Sequence, residues 1–109
     1  MKIIYNNIIP FNGYKAINIC GILFVKNGAK MSDVDINHEK IHTDQMKYML
    51  WIFFYLWYVI EWFLKLFIYW NSHTAYRNIS FEREAYANED NLDYLKTRKL
   101  YAWWKYIIN

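Results

Sequence analysis

The sequence predicts an α+β domain, a small antiparallel sheet at the N-terminus followed by about three helices, and two observations carry that prediction. Runs rich in Ile, Tyr, Phe and Val, punctuated by Pro and Gly, are confined to the stretch before Lys26. Beyond Asn27-Gly28 no strand pattern recurs, and capped, helix-forming runs take over. A chain of 109 residues makes one domain, 1–109, with room for a single core but not for a separate substrate-binding domain.

The first elements are strands at Lys2 to Ile9 and Lys15 to Val25, set around the turn-forming Pro10-Phe11-Asn12-Gly13 and closed by Asn27-Gly28. Cys20 is the one cysteine; an intrachain disulfide is excluded, and its place in an apolar run makes it a packing residue. Asn6-Asn7 interrupts the opening apolar residues too early for a secretory signal, so a cytoplasmic location is expected.

A helix at about 33–47 follows. Ser32 is its N-cap and Asp35, three residues on, completes a capping box. About one and a half turns inside it stands His38-Glu39-Lys40-Ile41-His42, an H-E-x-x-H pentad. Positions i and i+4 share a helix face about 6 Å apart, so two imidazoles can bind one metal ion while the intervening glutamate faces a bound water. These are the parts of a zinc hydrolase.

The next helix, about 49–70, reads YMLWIFFYLWYVIEWFLKLFIYW from Tyr48, with only Glu61 and Lys65 charged and spaced to pair across one face. Its uninterrupted apolar run, Tyr48 to Ile60, is 13 residues, short of the roughly 20 that span a bilayer. A single span would also leave the histidines about 30 Å from anything C-terminal to it, on the far side of a membrane. The segment is therefore expected to be a buried or interfacial helix, bent or reversed somewhere, that serves the core and a homo-oligomer contact, or alternatively touches a membrane surface through residues 48–70. Hydrophobic residues make up 56% and aromatics 22% of the chain, more apolar surface than one small core hides, which supports some such contact.

A third helix at about 79–97 takes Ser80 or Asn78 as its cap; the Asn78-Ile79-Ser80 sequon is read as that cap rather than as a glycosylation site. Catalytic zinc usually takes three protein ligands. Glu82 and Glu89, seven residues apart, share a face and either can meet the two histidines, whereas Glu84 points elsewhere. His73, in the polar break Asn71 to Thr74, reads as a solvated surface group, with a ligand or donor role as the lesser alternative. The aromatics of the piece from Leu100 to Ile108 stand among Lys96, Arg98, Lys99 and Lys105; a net charge of only +3 and the acids Glu82, Glu84, Glu89, Asp90 and Asp93 nearby argue against nucleic acid and for packing on the apolar helix.

With both motifs in view the chain resembles the gluzincin metallopeptidases, nearest to the CAAX-prenyl-protease and heat-shock membrane peptidases and the peptidase domains of β-lactam-sensing receptors. That family pairs an H-E-x-x-H helix with a later F-E-x-x-A-D helix, and Phe81-Glu82-Arg83-Glu84-Ala85 matches the first five positions. Ile19 to Val25 is similar to the strand that lies along the family's cleft, and the resemblance covers roughly Ile17 to Asn91, the extent of a minimal, single-domain zincin-like fold. It implies Glu82 as third ligand beside His38 and His42, one Zn2+ per chain, Glu39 as general base, and a peptide or protein substrate held by β-addition around Gly21 to Val25. Tyr86, Tyr76 and His73 are candidate oxyanion donors. The pattern departs at Tyr86, where the family has an aspartate that orients a histidine; Asp44, Glu84 or a backbone carbonyl stands available instead.

A zinc metallopeptidase is thus the leading expectation. The alternatives are a metal-binding relative that is catalytically weak, latent or regulatory, and an interaction module built on the aromatic helix.

Overall fold

In the computed structural model, which describes residues 1–8 and 15–107, β1 (Lys2–Asn6), β2 (Ala16–Ile19) and β3 (Ile22–Lys26) precede α1 (Asp33–Tyr48), α2 (Ile52–Tyr69), α3 (Ser72–Arg77), α4 (Ser80–Asn88), α5 (Tyr94–Thr97) and a 3-10 helix at Ala102–Tyr106. The α+β class holds. The turn expected at Pro10-Phe11-Asn12-Gly13 lies outside the described residues.

The sheet is mixed rather than antiparallel, in the order β1-β3-β2. What reads as one strand from Lys15 to Val25 folds at Cys20-Gly21 into an antiparallel hairpin, with Ile19 opposite Ile22 and Ala16 opposite Val25. Both turn residues have positive φ, 50° and 87°, as a two-residue hairpin turn of the primed type requires, and the Gly21 N–H donates to Asn18 Oδ1 at 3.0 Å. Cys20 is consequently exposed at a turn and not packed in a strand. The Asn18 side chain ties β2 to α1, its Nδ2 donating to the Glu39 carbonyl at 3.0 Å and to Thr43 Oγ1 at 2.9 Å, and β2 itself takes one edge of β3. That leaves β1 the far edge of β3, which it takes in parallel, Lys2 opposite Ile22.

Helix α1 starts where expected. Ser32 Oγ accepts from the Asp35 N–H and the Asp35 carboxylate from the Ser32 N–H, each at 3.1 Å; Lys15 adds an ion pair at 2.6 Å that holds the Asp35 carboxyl below its ordinary range. The reversal after α1 uses no glycine. The Met46 carbonyl accepts from both Met49 and Trp51 N–H groups, and Leu50 and Trp51 take φ of 54° and 58°, left-handed values that cost roughly 1–2 kcal/mol each. The core just beyond offsets that cost: Met46, Phe54, Ile79, Phe81 and Trp103 form one buried cluster, with Phe54 stacked on Phe81 at 4.5 Å.

Two expectations about α2 and α4 change together. Glu61 does not pair with Lys65, whose Nζ donates instead to the Ile107 carbonyl at 2.8 Å. The N-cap of α4 is Ile79, whose side chain has nothing to offer, and Ser80 sits buried at the first helical position. The missing cap arrives through space: the buried Glu61 carboxylate accepts the Ser80 N–H at 2.6 Å, its hydroxyl at 2.5 Å and the Trp57 indole N–H at 2.8 Å. A carboxylate at the positive end of a helix is favourable twice over, by hydrogen bond and by dipole.

The expected helix at 79–97 ends at Asn88, because Asn88, Asp90 and Asn91 are turn formers, and resumes only briefly as α5. The polar break near His73 is itself helical, with Asn71 Oδ1 accepting from the Thr74 N–H at 2.9 Å. In the C-terminal 3-10 helix Trp103 is buried against Phe81, 4.8 Å between ring centroids, and against Trp57 at 5.5 Å, so this one residue packs inward as expected, while Tyr101 and Trp104 stay exposed.

Candidate metal centre

The pentad lies on the buried face of α1, and α4 brings Glu82 to it. His38 Nε2, His42 Nε2 and Glu82 Oε1 form a triangle with edges of 3.0, 3.1 and 3.2 Å; all three residues are buried. Bonds of about 2.0–2.1 Å at tetrahedral angles separate neighbouring zinc ligands by about 3.3 Å. The triangle therefore has the size of one face of a zinc coordination tetrahedron. Glu89, the other acid on the shared face, meets only the opposite ring nitrogen: its Oε2 is 3.3 Å from His38 Nδ1, without the alignment of a hydrogen bond.

Each donor atom is aimed by what stands behind it. His42 Nδ1 is 2.8 Å from Gln45 Oε1. The Gln45 amide nitrogen is committed to the Phe81 carbonyl at 3.1 Å and to Glu84 Oε1 at 2.9 Å, so the oxygen must face the imidazole and Nδ1 carries the proton. His42 Nε2 then turns a lone pair toward Glu82 Oε1, two acceptors in contact, and a cation between them is what resolves the arrangement. A proton answers that need as a metal ion does. Burial alone lowers the proton affinity of His42, but the Glu82 charge and hydrogen bond outweigh it and raise the pKa to about 9. Burial likewise pushes Glu82 up, and the two imidazoles overcome it, holding its carboxyl well below the usual range.

Tyr58 fixes the other oxygen of Glu82, donating to Oε2 at 2.7 Å. Burial, then the Glu82 charge, drives the Tyr58 phenol far above its ordinary value, so it remains a donor. His38 is braced by packing instead: the Tyr86 ring meets it edge-on at 4.5 Å, with the Tyr86 and Tyr76 hydroxyls 3.1 Å apart and the Arg77 guanidinium over the Tyr86 ring at 3.7 Å. Tyr86 thus holds an imidazole by shape where an aspartate would hold it by charge. Of the substitutes considered for that aspartate, Glu84 acts at one remove through Gln45, and on the other histidine. Asp44 lies one step further, paired with Arg98 at 2.9 Å.

Glu39 is half-buried, and desolvation raises its pKa despite the nearby histidines. It lines two cavities. The larger, about 680 Å³, is bordered by charged groups including Lys15, Asp35 and Glu89; the smaller, about 450 Å³, is largely apolar, with Ile17, Met46, Phe54 and Tyr58 in its wall. Ala16, His38, Glu39 and Tyr76 border both. His73 and Tyr86 reach only the larger. Strand β3, expected to receive a peptide, is central and paired on both sides. The edge beside the smaller cavity is that of β2, whose residues Ala16 to Ile19 line it, with the Asn18 carbonyl accepting from the Tyr55 hydroxyl at 3.4 Å. In its ladder alternate residues turn away from β3, which directs the backbone groups of Ala16 and Asn18 outward. Sequence reasoning missed Gln45 and Tyr58. Gln45 carried a trace, three residues after His42 and on its face; Tyr58 carried none.

No protein-family model, curated protein or solved structure matches this chain.

Gln45 supplies a direct check on the centre. With zinc held by the triangle, as proposed below, Gln45→Ala is expected to weaken its binding by about 10- to 100-fold, the usual cost of losing the partner that orients a ligating histidine. Competition against a chromophoric chelator measures it, and unchanged affinity would reduce Gln45 to a space-filling role.

Proposed function

We propose that this chain is a zinc-dependent peptidase in which His38, His42 and Glu82 hold one zinc ion and Glu39 is the general base. The observation that carries the proposal is the 3.0–3.2 Å triangle of ligand atoms placed beside Glu39, which lines two cavities. A zinc ion held there supplies Lewis acidity, lowering the pKa of water to about 7 and polarising a carbonyl. Glu39 takes a proton from the attacking water and returns it to the departing amine. Tyr76, the one phenol of the three candidate donors to border both cavities, stays protonated because burial and the Glu82 charge raise its pKa; it is the favoured donor to the developing oxyanion. An extended peptide adds along the outer edge of β2, with a side chain to one side of the scissile bond in the apolar cavity.

The test is metal content by mass spectrometry on protein purified without added metal. About one zinc per chain, reduced in His42→Ala and Glu82→Gln, is expected; no zinc after reconstitution overturns the proposal. A second reading, a metal-binding protein of weak activity, is favoured by one observation: His38 Nδ1 is buried without a hydrogen-bond partner, so one ligand lacks the orienting bond that the other has.

A further inference from the structure

Helix α2 is built inside out. Apart from Tyr69 at its end, its hydrogen-bonding side chains face the rest of the chain and are satisfied there: Tyr55 by the Cys20 N–H, Tyr58 by Glu82, Glu61 by Ser80, Trp62 by the Ser72 carbonyl and Lys65 by the Ile107 carbonyl. The opposite face, at positions 52, 53, 56, 59, 60, 63, 64, 67 and 68, is wholly apolar, and each of these side chains is between 50% and 67% exposed. At 100° per residue they cover about half the circumference of the helix.

We propose that this face of α2 sits in a lipid bilayer, with the helix lying in the plane of the membrane surface. Three features favour lipid over a second copy. A half-circumference arc is wider than the seam one partner helix covers, whereas acyl chains wet it entirely. A protein interface carries about one hydrogen bond per 100–200 Å² and a polar rim, and this face offers no polar side chain. The rim here is aromatic instead: Trp51 and Tyr48 at one end, Tyr69 and Trp70 at the other, and Trp104 alongside, 6.4 Å from Trp57, with Trp70 79% and Trp104 62% exposed. Trp and Tyr favour the headgroup level, and the exposed Lys47 and Lys105 stand next to that rim. By length and composition α2 is able to cross a membrane, but an upright span would carry Glu61, Lys65 and the helices bonded to them into hydrocarbon. The in-plane orientation buries the apolar arc and leaves the inner face on the protein.

Flotation of the full chain with phosphatidylcholine vesicles tests this, beside Leu56→Glu/Phe63→Glu, two exposed positions whose far-UV circular dichroism should match the parent. The parent is expected to float and to lose tryptophan emission to brominated phosphatidylcholine. The variant is expected to partition about tenfold less or weaker still and to lose the quenching. A parent that stays with the dense fraction, or a variant that floats equally well, overturns the proposal. Binding confined to vesicles containing phosphatidylglycerol, abolished by salt and indifferent to the variant, would make the contact electrostatic and overturn it too. So would a lipid-free dimer that the variant dissociates and that vesicles do not recruit. None of these outcomes depends on zinc or on hydrolysis.

Discussion

Glu39→Gln is expected to lower peptide hydrolysis by about 10²- to 10⁴-fold, the range over which a positioned general base contributes, while the zinc content stays at that of the parent. The amide has the shape of the carboxylate and cannot take a proton from water. Glu39 lies outside the triangle formed by His38, His42 and Glu82, so its replacement leaves the ligand atoms in place. The effect should fall on kcat, because the edge of β2 and the apolar side chains to which the proposal assigns the peptide are unchanged. Activity equal to that of the parent, at equal zinc loading, would remove Glu39 from the mechanism. Loss of zinc along with activity would make it a group that supports the ligands rather than the base.

Much of the centre was legible because it follows from local rules. Ser32 and Asp35 mark the start of α1, and helix periodicity alone puts His38 and His42 on one face. The choice of Glu82 over Glu89 was not local. It depends on where α4 crosses α1, and that crossing is held by Gln45, whose amide donates to the Phe81 carbonyl, and by Asn37, whose amide donates to the carbonyls of Glu89 and Asn91 just after α4. The same limit explains the misread sheet: Cys20 and Gly21 look like a continuation of an apolar strand until both adopt positive φ. It also explains the reversal at Leu50-Trp51, where tertiary packing overrides two residues that favour ordinary backbone. Glu61 and Lys65 show the limit of spacing as evidence. Their i,i+4 relation is real, yet each finds a better partner, the carboxylate at an uncapped helix start and the ammonium at a carbonyl of the C-terminal turn.

Arg98→Leu is expected to destabilise the fold by about 3–5 kcal/mol, the cost of removing one partner from a buried ion pair. The Arg98 and Glu84 side chains are both fully buried, although the Arg98 backbone is at the surface. Glu84 accepts Arg98 through Nε and through Nη2, the latter at 2.8 Å, together with the Tyr94 hydroxyl at 2.7 Å and the Gln45 amide; Nη1 reaches Asp44 at 2.9 Å. A bidentate guanidinium on a carboxylate whose remaining lone pairs are taken is the geometry in which such a pair holds. Without Arg98 the carboxylate keeps its burial and loses its countercharge. The midpoint of urea unfolding should fall with little change in m, and zinc affinity should fall as well, since Gln45 orients His42 from Glu84. Replacing both partners, Arg98→Met with Glu84→Met, should recover much of the stability, because two apolar side chains of similar volume carry no charge to desolvate. It should not recover the zinc affinity, because Gln45 then loses the Glu84 carboxylate that anchors it. Stability and metal affinity separating in this way would mark Arg98 and Glu84 as positioning residues for the centre; a single variant within about 1 kcal/mol of the parent, the usual worth of an exposed pair, would show that the pair does not hold the C-terminal segment.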